Sequence, residues 1–225
     1  MLRRLPKPPI IEIERKDNII IPEDGFVRVS RSNVIFNYPD GTKSNTFLLD
    51  SIVRNNPDAV AIIAYFIHNN STYIYLRSCI RPALVLRDYF PSSRTPPVNI
   101  GNHWEIPAGF IEKDEVGVEG VIKAAKRELE EELGFNYLES NFKHLGKEVY
   151  VAGSSADRIF YVSIKVDPSK QEAPKLDGEP FEYGGKIIFT KLEDILRAIE
   201  DGEIYDGKTE IGLNRFARYI DKVRR

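Results

Sequence analysis

Val118-Glu119-Gly120-Val121-Ile122-Lys123-Ala124-Ala125-Lys126-Arg127-Glu128-Leu129-Glu130-Glu131-Glu132-Leu133-Gly134-Phe135 is the stretch on which the reading of this chain turns. At about 100° per residue, Val118, Ile122, Ala125, Leu129 and Leu133 fall on one face, which predicts an amphipathic helix from about Glu119 to Leu133. Gly134 is its natural stop, because glycine accepts the left-handed backbone that closes a helix. Glu128, Glu131 and Glu132 cluster on an adjacent face at i, i+3 and i+4, whereas Glu130 points toward solvent. Like charges at that spacing cost a helix about 0.2–0.5 kcal/mol per pair. A stable helix can carry that as a solvated acidic face. The functional reading is a site for a hard cation, since Mg²⁺ takes oxygen ligands, usually a few carboxylates completed by water and substrate phosphates.

The flanks decide between the two readings. Trp104-Glu105-Ile106-Pro107-Ala108-Gly109 precedes the helix, and Arg127-Glu128-Leu129-Glu130-Glu131-Glu132-Leu133-Gly134-Phe135 ends it. Together they resemble the box of the Nudix hydrolases: a glycine, a glutamate, then Arg-Glu-aliphatic-x-Glu-Glu-x-Gly and an aliphatic or aromatic residue. Glu119, eight residues before Arg127, stands where the family has its first box glutamate. Nine residues separate it from Gly109 where the family has five, and the extra ones are placed in Glu112–Gly117, in the loop before the helix. The resemblance implies that Glu128 and Glu132 are the main metal ligands, with Glu131 close behind and the backbone carbonyl of Ala108 as a further ligand. Arg127 is implied to pair with a box glutamate, Glu119, and so hold the constellation. Mg²⁺ is the implied cofactor, with Mn²⁺ as a substitute.

Segments outside the box resemble the ADP-ribose or ADP-sugar pyrophosphatase branch of that family. Arg81-Pro82 looks like its Gln-aromatic-Arg-Pro element, although Cys79-Ile80 replaces the first pair. Trp104–Gly109 resembles its Glu-x-Pro-Ala-Gly strand end. Val151–Arg158 is similar to its Ser-Pro/Ala-Gly loop, with Asp157 in place of glutamate. Asp177-Gly178-Glu179 with Glu182 matches its acidic loop, and Asp206-Gly207-Lys208-Thr209 also fits. The implied substrate contacts are Arg81 to a phosphate or terminal ribose, Glu105 to a ribose hydroxyl, Asp157, and Phe47 stacked on adenine. Glu179 is the implied general base. The box carboxylates are engaged with metal and are poor bases, whereas Glu179 lies in the loop-like Lys175–Pro180, where Gly178 gives freedom to close over substrate. Glu182 then supports the metal or orients Glu179. The implied reaction is metal-assisted hydrolysis of a nucleoside diphosphate sugar to AMP and a sugar phosphate. Another nucleotide sugar, a dinucleotide, or a non-catalytic nucleotide-sugar sensor are the alternatives.

Working outward, the remaining sequence supplies the scaffold. Ala59–Ile67 (AVAIIAYFI) is far shorter than the roughly 20 residues of a membrane-spanning helix and reads as a buried strand. It is joined to a second strand, Ser71–Arg77, through a hairpin at His68-Asn69-Asn70. Further strands are expected at Lys147–Val151, Ile159–Val166 and Lys186–Thr190, and helices at about Leu192–Asp201 and Ile211–Val223. Strands around a few helices without βαβ alternation give an α+β fold. By resemblance it is a Nudix-type α/β/α sandwich with a mixed sheet, occupying residues 57–225. Residues 1–56 form a small β-rich segment (Ile19–Ile21, Phe26–Val29, Asn33–Phe36, a turn at Tyr38-Pro39-Asp40-Gly41) too short to bury a core alone. It is expected to join a homodimer and contact the nucleobase. The net charge of -2, from 32 basic and 34 acidic side chains, gives no reason to expect nucleic-acid or membrane-surface partners. The lone Cys79 cannot form an intrachain disulfide, and a cytoplasmic location is the expectation.

Overall fold

The computed structural model describes residues 12–15, 19–21, 24–81, 102–175 and 185–224. The chain divides into two compact units, Met1–Pro57 with Val149–Asp157, and Asp58–Glu148 with Arg158–Arg225.

The smaller unit is a four-stranded antiparallel sheet built on one long strand, β3 (Val27–Asn37). β4 (Phe47–Arg54) lies along one edge, and β1 (Glu12–Arg15) and β2 (Ile19–Ile21) share the other. Sequence reading breaks β3 in two at Ser30-Arg31-Ser32, but Ser30 and Arg31 pair with both β2 and β4 and Ser32 pairs with Leu49 of β4. Ser30, Ser32 and Val34 alternate inward, whereas Arg31 faces out and forms a forked ion pair with Asp50. The β3–β4 connection turns at Tyr38–Gly41, where Gly41 adopts φ +84° and returns its N–H to the Tyr38 carbonyl. The Val149–Asp157 segment runs beside β4, through Ile52 N–H to Ser154 O and the ion pair of Arg54 with Asp157 at 3.0 Å.

The larger unit is a seven-stranded mixed sheet between helices. β5 (Asp58–His68) and β6 (Ser71–Ile80) form a hairpin closed by Asn69 and Asn70 at φ +47° and +62°. Two successive positive φ values make the turn whose twist matches the strands it joins, and asparagine tolerates that backbone. Beyond the turn the two strands splay apart. β7 (Asn102–Glu105) pairs with β6 and β8 (Ala108–Phe110) pairs with β5, so that this connection fills the fork. β10 (Arg158–Lys165) runs parallel to β5, β11 (Ile187–Lys191) runs antiparallel to β6, and β9 (Lys143–Val149) is the edge beyond β10.

Strand alternation then decides which layer each residue joins. Val60, Ile62 and Ala64 of β5 face α1 (Gly117–Leu133) and its Val121, Ala125, Leu129 and Leu133. Ala61 and Ile63 face α2 (Leu192–Glu200) and α3 (Gly207–Arg224) through Ile195, Leu213 and Phe216. This is the expected α/β/α sandwich with a mixed sheet. α1 ends as read, with Gly134 at φ +73°. It begins one half-turn earlier than read, and its buried stripe is rotated: Val118 is exposed, whereas Val121, Ala124 and Glu128 are buried. No described helix is long and apolar enough to cross a membrane.

Candidate active site

The C-terminal half of α1 meets the β8 strand end, and there the box carboxylates converge. Glu128 is only 8% exposed. Its carboxyl fits against Gly109, where a Cβ would come within 1.9 Å of Glu128 Cδ; any side chain at 109 would occupy the same space. Glu132 Oε1 accepts from Arg77 Nη1 at 2.6 Å, and its Oε2 accepts from the Ala108 N–H at 3.0 Å. Arg127 Nη1 donates to Glu128 Oε1 at 2.5 Å and to Glu131 Oε2 at 3.3 Å, while Nη2 donates to the Phe110 carbonyl at 2.8 Å.

The loop partner of Arg127 is Glu115, at 3.4 Å, and not Glu119. Five residues separate Glu115 from Gly109, the spacing the family box has, and its Oε2 also accepts from the Glu112 N–H at 2.7 Å. The four extra residues therefore fall between this glutamate and Arg127, where they lengthen the approach to the helix by about one turn. Gly120 makes the approach possible: a Cβ there would stand 2.1 Å from the Glu115 carbonyl carbon.

Burial pushes the carboxyls of Glu128 and Glu132 up to about 7, against the pull of Arg127 on the first and Arg77 on the second. Three carboxylates face two guanidinium groups here, Arg77 being 3% exposed. Each glutamate is turned to an arginine or a backbone donor, and no group of three His, Cys, Asp or Glu side chains among the described residues is drawn together in metal-holding geometry. The donor chemistry nonetheless suits a hard divalent ion: all oxygen, short of positive charge, on a rigid helix and strand end. Glu128, Glu131 and Glu132, with the Ala108 carbonyl, are the residues that could hold it.

A second cluster is built on Glu105, at the end of β7 and 1% exposed. Arg81 grips it with a fork at 2.7 and 2.5 Å. Lys208, at the first turn of α3, bonds the same carboxylate and also Asp206 at 2.9 Å. Asp206 accepts from the Thr209 N–H and hydroxyl, and the Thr209 hydroxyl in turn accepts from the Ile106 N–H. His103 Nε2 approaches Glu105 Oε1 at 2.7 Å, out of line for an N–H bond, and its ring stacks on Tyr205. Burial alone raises a carboxyl. Here the forked donors of Arg81, the nearby His103 ring and the charges of Lys208 and Arg81 overcome burial and hold Glu105 far below the usual carboxylate range. Both its oxygens are taken by side chains, whereas Arg81 keeps 43% of its side chain exposed. The group open to a ligand is therefore Arg81, with Glu105 fixing it. Cys79, opposite His103, has its thiol pushed up to about 11 by burial and the Glu105 charge, so it is not a nucleophile.

Of the other expected site residues, Phe47 and Asp157 belong to the smaller unit. Phe47 packs edge-on against Phe36 at 4.9 Å, and Asp157 pairs with Arg54. Glu179 and Glu182 lie outside the described residues. Arg77, Glu115, His103 and Lys208 carry roles here that the sequence did not assign.

A helix of carboxylates seated on a Pro-Ala-Gly strand end, with an arginine binding helix to strand, is the box of one hydrolase class. The chain belongs to the Nudix family: the family model for the NUDIX domain matches residues 68–207. It is 36% identical over 112 residues to the ADP-ribose pyrophosphatase of Bacillus subtilis (strain 168). That match takes in 48% of this chain and 54% of the relative, so the chain spans about half the length of the curated relative it matches. A crystal structure described as an ADP compounds hydrolase has the same fold, with a TM-score of 0.66 at 15% identity, over 97% of this chain and 98% of that one.

Proposed function

We propose that this protein is a divalent-cation-dependent pyrophosphohydrolase of nucleoside diphosphate sugars, acting on ADP-ribose or another ADP-sugar and releasing AMP and a sugar phosphate. The observation that carries the reading is the convergence of Glu128, Glu131 and Glu132 on the Ala108–Phe110 strand end, in surroundings short of positive charge. The activity named for the Bacillus subtilis relative supports the substrate class. Glu128, Glu131, Glu132 and the Ala108 carbonyl would hold Mg²⁺, or Mn²⁺ in its place, which would supply charge neutralisation for the pyrophosphate and activation of the attacking water. Arg81, held by Glu105, offers a forked cation to a phosphate or the terminal ribose. Glu179 is the general base that takes the proton of the attacking water, and Glu182 supports the metal or orients Glu179. Two copies of the chain make the working cytoplasmic enzyme.

The test is AMP release across ADP-ribose, ADP-glucose, UDP-glucose, GDP-mannose and dinucleotides, with Mg²⁺ and with a chelator. Turnover of an ADP-sugar that stops on chelation supports the reading. Turnover confined to another base or to dinucleotides would move the substrate class, and binding without turnover would make the protein a sensor.

A further inference from the structure

Arg77 is a charged residue in an apolar strand. Along β6, Ile74 and Leu76 join the α2–α3 layer while Tyr75 joins the α1 layer, and the alternation carries Arg77 toward α1. Its side chain is 3% exposed and reaches Glu132 Oε1 at 2.6 Å. Glu132 Oε2 is meanwhile taken by the Ala108 N–H. Thus both oxygens of one implied metal ligand are already engaged by the protein. The other two glutamates share Arg127, which also holds the Phe110 carbonyl and Glu115. Arg127 is the tie between helix and strand, whereas Arg77 bonds Glu132 and brings a buried positive charge to the carboxylates a cation would meet there.

We infer that Arg77 is a positioning residue that holds Glu132 in place as its counter-ion and weakens the site for a free divalent ion. This inference rests on the proposed metal-dependent reading. A cation at the carboxylates feels the fixed guanidinium as repulsion, and must draw on a Glu132 oxygen that Arg77 already uses. Binding of the ion alone is therefore weak, and the negative pyrophosphate of an incoming nucleotide makes up the missing charge. Metal and substrate then load together rather than in sequence.

The experiment measures Mn²⁺ affinity directly, by calorimetry or by the free-ion electron-spin signal, on the full chain at pH 8 without nucleotide. Thermal unfolding with and without Mn²⁺ accompanies it. Arg77→Met should bind Mn²⁺ at least tenfold more tightly than wild type and show a larger Mn²⁺-induced rise in Tm, since a ligand stabilises the state it binds. Arg77→Gln keeps a donor without the charge and should behave as Arg77→Met does; it carries the test if Arg77→Met does not fold. Arg77→Lys restores the charge and should return the affinity to the wild-type level. Affinity in Arg77→Gln equal to or weaker than wild type overturns the inference while leaving the metal-dependent reading standing. Failure of wild type and all three variants to bind Mn²⁺ removes both.

Discussion

Two buried carboxylate clusters a few residues apart in the fold have opposite electrostatic conditions. Around Glu105, one carboxylate is supplied by Arg81, Lys208 and the His103 ring, and its carboxyl lies far below the ordinary range. Around Glu128 and Glu132, burial outweighs the arginines, and both carboxyls rise to about 7. The first cluster is complete within the protein. The second is short of positive charge, which a divalent ion would supply. The lesson is that the sum of charges around a buried carboxylate separates a scaffold from a metal site better than the number of carboxylates does.

The comparison breaks most visibly in activity. Glu128→Gln removes ligand charge with little volume and should lower turnover by about 10³-fold, while the melting curve stays near wild type; near-normal kcat would remove Glu128 from the site. Glu179→Gln should cost about 10²–10⁴-fold in kcat, the usual range for a general base, with Mg²⁺ and substrate affinity nearly intact. A loss under about threefold, with a far larger one in Asp157→Asn, would move the base to the earlier loop.

Stability gives the reciprocal contrast. Glu105→Gln leaves Arg81 without its counter-ion and Lys208 with Asp206 alone, and should destabilise by about 3 kcal/mol, the low end for a broken buried pair because Arg81 is partly solvated. Denaturant unfolding reads this, and an unchanged midpoint would show that Glu105 is not the hub. The smallest effect is the pH dependence of the metal-free protein. Glu128 and Glu132 stand near 7 in the fold against 4.5 for an ordinary glutamate. Folding thus takes up protons between those values. The contribution of these groups to stability is present below about pH 4.5 and is lost as pH rises toward 7. Saturating Mg²⁺ should flatten that decline, because the ion stabilises the ionised form. A Tm profile with the same slope with and without Mg²⁺ would count against a shared site.

Much of this was legible in the sequence, and the exceptions have physical reasons. The Asn69-Asn70 hairpin, the Gly134 stop and the carboxylate spacing of α1 are local signals, set by backbone preference and helix period. Arg77 and Lys208 are not local: their partners lie 55 and 103 residues away, and only the splay of β5 from β6 brings the latter pair together. Strand alternation from Tyr75 was the one available signal for Arg77. The short strands β7 and β8 were hidden because each is held by a neighbour's free edge rather than by its own pattern. Glu119 comes from counting back from Arg127, which assumes a helix of standard length, whereas Gly120 allows the longer approach from Glu115. The stripe of α1 was misplaced for a related reason: Val118 precedes the point at which the helix meets the sheet, and the polar Glu128 takes an apolar position opposite Gly109.

The central claim is that the α1 carboxylates take up a divalent ion, and Mn²⁺ titration of wild type, Glu128→Gln and Glu130→Gln at pH 8 tests it most directly. Glu130 stands on the outer side of the same helix, paired with Lys175 at 2.6 Å, so its variant makes the same charge change away from the site. The account predicts that Glu130→Gln binds Mn²⁺ as wild type does and that Glu128→Gln binds at least tenfold more weakly. Equal affinity in the two variants would contradict it.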